Sequence, residues 1–140
     1  MRVEEALWPH IPGIEYEPAA QPLLQIISGC LAAYSAQPPR TAADLGRSLG
    51  ADVRLARLTH PRQGWTWFRP ERAVIEVADW LAADMRQLVA AHEVCHLMLG
   101  SGVPRHDVLV ERVCNWGAAQ ILDLVSSADG APDAPLHTPS

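Results

Sequence analysis

The segment LVAAHEVCHLML, residues 88–99, sets the hardest condition on how this chain folds. It has neither the alternation of a half-buried strand nor a Gly or Pro break, so it reads as an apolar helix. Two histidines and a glutamate sit among its aliphatic residues. Such groups are costly to bury unless partners satisfy them. The fold has to bury this helix and still provide for His92, Glu93 and His96.

Their spacing suggests how. His92 and His96 follow the pattern HExxH, and residues four apart lie about 40° apart around a helix and about 6 Å apart along it. Two imidazoles so placed converge on one Zn²⁺ at about 2.0–2.1 Å each. Glu93 stands on the neighbouring flank, within reach of a zinc-bound water whose pKa is lowered toward neutrality. From there it is placed to take the proton as that water attacks a carbonyl.

Two imidazoles leave a catalytic zinc one protein ligand short. The position six residues after His96 is Gly102, which excludes the three-histidine metzincin pattern. His106, Asp107 and Glu111 remain as candidates. Glu111, Asn115 and Ala118 or Ala119 recur at helical spacing as one stripe. The small residues Gly117, Ala118 and Ala119 allow that helix to approach the zinc helix closely, so Glu111 is the expected third ligand.

Along the rest of the chain, residues 22–35 have helical periodicity up to Pro38 and Pro39. Residues 42–49 form a short helix with Thr41 as N-cap and Gly50 just past its end. Three β-prone runs follow at 53–58, 64–68 and 73–77, then helices over 82–99 and about 107–126. The order predicts an α+β domain with a short three-stranded sheet packed against helices that include the HExxH helix and the Glu111 helix. The short connections predict that this sheet is antiparallel. Residues 1–127 read as one domain that opens with an extended arm over 1–18, and the Pro-rich residues 128–140 read as a disordered tail.

At 140 residues, 49% hydrophobic and 19% charged, the chain has the size and composition of one globular domain. The net charge of −5, with every cation an Arg, disfavours direct nucleic-acid binding. No apolar run is long enough to span a membrane, and the first ten residues lack a secretory signal, which points to the cytoplasm. Cys30, Cys95 and Cys114 form no CxxC pair and are expected to be reduced, with Cys95 and Cys114 as inert fillers of the helix interface.

HEVCHLML, followed after His96 by ERVCNWGAAQIL over residues 111–122, resembles the two-part signature of the ImmA/IrrE zinc metallopeptidases, HExxH and then ExxxNxxAAxxL. The resemblance covers about residues 40–125. It implies a gluzincin-like fold, zinc held by His92, His96 and Glu111, and Glu93 as general base. It also implies an endopeptidase that cuts a regulatory protein, with a helix-turn-helix transcriptional repressor as substrate. This chain departs from the family's usual residues at Cys95 (Gly), Cys114 (Ala) and Gly117 (Phe), and no Met-Pro follows Leu122. The alternative is a non-catalytic zinc-containing module that sequesters a repressor.

Trp65 and Trp67 alternate with Thr66, and the expectation for such a pair is core beneath a helix. The functional alternative is a cleft lip, with strand 64–68 or 73–77 accepting a substrate strand. His60 and His106 are considered for stabilising an oxyanion, each against the plainer reading of a surface loop histidine. Arg112, beside Glu111, is weighed as an orienting group against a solvated helix face.

Overall fold

Four helices and a three-stranded sheet make up most of residues 13–128, the part of the chain that the computed structural model describes. Most of the expected arm and nearly all of the expected tail lie outside those residues. The described end of the arm forms two 3₁₀ turns, Ile14–Tyr16 and Pro18–Ala20. Helix α1, Gln21–Ala32, follows with a proline in its first turn, where a missing N–H costs nothing.

Helix α2, Ala42–Ser48, begins as its sequence demands: the Thr41 hydroxyl accepts from the Asp44 N–H at 3.0 Å. It ends with Gly50 N–H on the Arg47 carbonyl and Ala51 N–H on the Gly46 carbonyl, at 2.9 and 3.0 Å. The buried Gln87 side chain accepts from the Ala42 N–H at 3.0 Å and ties this helix start to the next helix.

The strands are β1 (Asp52–Ala56), β2 (Gly64–Phe68) and β3 (Ala73–Ala78), and their order in the sheet is β1-β3-β2. The antiparallel expectation is therefore corrected to a mixed sheet: β2 pairs antiparallel with β3, but β1 pairs parallel with it. The reason lies in β3. Its AVIEVA sequence buries Val74, Ile75, Val77 and Ala78, so both faces are covered and it takes the central place. Residues 57–63 then pass over the end of β3, a distance of two strand spacings of about 4.8 Å. Ala78 N–H donates to the Gln63 carbonyl at 2.8 Å, and Asp79 N–H to the Ala56 carbonyl at 2.9 Å.

Helix α3, Ala83–Leu99, is buried on every side from Gln87 to His96. It packs against the sheet, α1, α2 and the last helix α4, Val108–Ala128. A helix enclosed on all faces needs apolar residues all round, which is how the LVAA run reads. The core joins Ile27, Leu45, Ile75, Val77, Val94, Val113 and Ile121. Among the described residues, no helix is long and apolar enough to cross a membrane.

Candidate metal centre

Helices α3 and α4 bring the two imidazoles and one carboxylate to a single point. His92 Nε2 lies 3.0 Å from Glu111 Oε2, and His96 Nε2 lies 3.0 Å from Glu111 Oε1. The two Nε2 atoms are 3.2 Å apart. Both histidines are buried; Glu111 is partly exposed and opens the group to a cleft.

A tetrahedral ion with bonds of about 2.0–2.1 Å requires donor–donor edges of about 3.3–3.4 Å. The imidazole pair lies just below that edge, and the two histidine–carboxylate contacts end on different oxygens of Glu111, so seating an ion on one of those oxygens requires the side chains to readjust. Among the described residues, His92, His96 and Glu111 form a donor group that could hold a metal ion.

The charge state of Glu111 fits that role. Burial pushes its pKa up, but hydrogen bonds and positive charge from His92 and His96 outweigh burial and hold the carboxyl well below the usual carboxylate range. A ligand carboxylate has to be ionised, and this shift favours the ionised form.

The packing around these donors depends on two glycines. A Cβ on Gly64 would lie 2.6 Å from Val89 Cγ1 and 3.1 Å from Glu93 Cγ, so only glycine lets the start of β2 rest on α3. A Cβ on Gly117 would lie 2.5 Å from Cys95 Sγ, so glycine also sets how closely α4 meets α3. Cys95 and Cys114 are free and buried. Burial, with nearby negative charge, pushes both thiols far above their ordinary range, which leaves them protonated and inert.

Glu93 is only 3% exposed, and both of its carboxylate oxygens have partners. Arg105 donates through both terminal nitrogens to the two carboxylate oxygens, at 3.0 and 2.9 Å. The Thr66 hydroxyl lies 2.8 Å from Oε1 and 3.0 Å from the Glu93 carbonyl. Burial opposes the charge on Arg105, yet the hydrogen bonding and charge of Glu93 outweigh it and raise its pKa further. Neither Arg105 nor Thr66 was expected at the site.

Two connected hollows open beside the donors. The smaller, about 160 Å³, is walled by Gln63, Gly64, Val89, His92, Glu93 and Glu111. The larger, about 710 Å³, shares Gln63, Gly64 and Glu111 and extends along Arg57, Arg62, Trp65, Arg105 and His106. The guanidinium carbons of Arg62 and Arg105 lie 4.1 and 4.3 Å from the centre of the Trp65 ring.

The other expected residues separate clearly. Asp107 caps α4: its Oδ1 accepts from the N–H groups of Leu109 and Val110 at 2.8 and 3.2 Å. His106 is exposed on the rim of the larger hollow, His60 is exposed beside Trp80, and Arg112 is exposed on α4. The tryptophan pair is not core. Thr66 takes the buried face, which leaves Trp65 half-buried and Trp67 37% exposed on the other side. As the central strand, β3 has both edges paired and cannot accept a further strand; β2 lies at an edge. No protein-family model matches the chain, and no curated protein matches it.

Proposed function

We propose that this protein is a zinc-dependent endopeptidase that hydrolyses a peptide bond in a regulatory protein. The observation that carries the reading is the convergence of His92, His96 and Glu111 within 3.0–3.2 Å of one another at the mouth of a cleft that also holds Glu93. Two imidazoles and one carboxylate suit Zn²⁺ and leave its fourth position open, whereas a closed structural site uses four protein ligands, usually cysteines. Bound there, zinc supplies Lewis acidity toward a water molecule and a peptide carbonyl.

The protein's own groups do the rest. Glu93 accepts the proton of the attacking water and passes it to the departing amine. Loosening the Arg105 contact at Oε2 would clear that oxygen for the proton, while the Thr66 hydroxyl continues to hold Oε1. The guanidinium, once loosened, lies in the cleft wall, where it can face a substrate carbonyl. Gly64 keeps that wall close to α3. The free edge of β2 is the strand available to align an extended substrate, and the resemblance in sequence suggests a helix-turn-helix repressor as that substrate.

The clamp itself favours a second reading. With both oxygens of Glu93 held by Arg105, the protein could instead be a zinc-containing module that sequesters a repressor without cutting it. Incubating zinc-loaded wild type and Glu93→Gln with a panel of helix-turn-helix regulators, followed by mass spectrometry, separates the two. The enzyme reading requires cleavage by wild type and nearly none by a variant that still holds zinc. Binding without cleavage by wild type leaves the sequestering module.

A further inference from the structure

The larger hollow carries a charge opposite to that of the whole protein. The chain sums to −5, yet Arg57, Arg62, Arg105 and His106 all line this one cleft. Its carboxylate, Glu111, faces the two imidazoles with both oxygens. Arg105 is bound to Glu93, whereas Arg57 and Arg62 make no ion pair among the described residues. Arg54, a near neighbour in sequence, is by contrast paired with Glu76 and Asp52. Stacking on Trp65 further restrains the Arg62 guanidinium, so its donors are partly ordered before a ligand arrives. One restrained, unpaired guanidinium, Arg62, and a second unpaired one, Arg57, in the same cleft of about 710 Å³ are suited to a planar, charged acceptor.

We infer that this cleft selects a carboxylate on the bound polypeptide, received by Arg57 and Arg62, so that the segment taken by this protein is acidic next to the metal centre. The inference rests on the proposed reading in taking the ligand to be a polypeptide. The carboxylate has two sources, an Asp or Glu side chain or the end of a chain, and both offer the same pair of oxygens. The arrangement also ties selection to the clamp. A ligand carboxylate entering beside Trp65 meets Arg105 as well, and competes with Glu93 for its guanidinium.

The test reads binding, not cleavage, on the metal-free full chain by calorimetry. The probes are short acetylated and amidated peptides that differ in one central residue, Glu or Gln, together with the Gln peptide as a free acid. The Glu peptide should bind about tenfold more tightly than the amidated Gln peptide, the size of one charge-assisted hydrogen bond. A gain for the free acid as well extends the selection to chain ends; without one, the source is a side chain. The preference should vanish in Arg57→Glu/Arg62→Glu and persist in Arg40→Glu/Arg72→Glu, which has the same net charge change away from the cleft. Equal binding of the Glu and Gln peptides, no binding at millimolar concentration, a preference that survives the cleft substitutions, or tighter binding of inorganic phosphate than of the Glu peptide overturns it. A Glu-selective protein that never cuts when zinc-loaded refutes the peptidase alone. A zinc peptidase indifferent to Glu refutes the cleft alone.

Discussion

Arg105 reaches back from the loop before α4 to close over both carboxylate oxygens of Glu93, at 3.0 and 2.9 Å. Glu93 belongs to the HExxH segment, so the group expected to accept a proton is also half of the tightest ion pair in the site. The pair joins the loop to the central helix, and its loss would leave a buried charge without its counterion. Arg105→Ala should therefore lower the unfolding free energy of the metal-free protein by about 3 kcal/mol. Combining it with Glu93→Gln should cost clearly less than the two changes added together, because the double variant strands no charge. Urea denaturation of the four proteins measures this. Additive losses would mean that the contact contributes no coupling.

Two carboxylates at the start of α4 should behave in opposite ways. Glu111→Ala removes a metal donor and should weaken zinc binding by about a hundredfold or more in a chelator competition. Asp107→Ala removes a helix cap and should leave zinc affinity near wild type while costing about 1 kcal/mol of stability. Loss of zinc from the Asp107 variant, with retention in the Glu111 variant, would reverse the assignment.

The depressed pKa of Glu111 fixes the direction of an acid effect. Its folded value lies below the ordinary 4.5, so its contribution to stability is fully present above about pH 4.5 and fades as pH falls toward the folded value. In metal-free protein, the stability gap between wild type and Glu111→Gln should narrow as the pH falls below about 4.5. Denaturant titrations at several pH values below about 4.5 test this; a gap that widens over that range contradicts the assigned sign. Zinc-loaded protein should also release its ion on acidification, since imidazole ligands have to be neutral.

The central helix and the His92, His96 and Glu111 group that could hold an ion were legible because helical spacing alone carries His96 to His92, and the stripe beginning at Glu111 has the same period. Thr41 and Gly50 were legible as the ends of α2 because caps act over a few residues. The strand order was not. It depends on which strand is buried on both faces, and the apolar run of β3 says so only once its helices are in place. Thr66 was hidden by a reasonable preference: burying two tryptophans looks better than burying one threonine, until Glu93 needs a donor on that face. Arg105 had no local signal, since its partner lies in another element and loop residues show no period.

Cys95 and Gly117 make a contact that only the three-dimensional structure reveals, and it yields the last prediction. They face each other across the α3–α4 interface. Here the space beside Gly117 is filled by Cys95 Sγ, 2.5 Å from where a Cβ would stand, with Ile27 Cδ1 at 3.0 Å. Gly117→Ala should therefore force α4 away from α3 and cost about 1–3 kcal/mol, despite the better helix propensity of alanine. Since Glu111 rides on α4 and the two histidines on α3, the same displacement should weaken zinc binding. Cys95→Ala removes the sulfur, so the double variant should recover part of both losses while Cys95→Ala alone costs a small cavity. Thermal denaturation and zinc competition on the two single variants and the double variant give the comparison. If Gly117→Ala is as stable as wild type, or the double variant is no better than Gly117→Ala, the spacing of the two helices is not set by this contact.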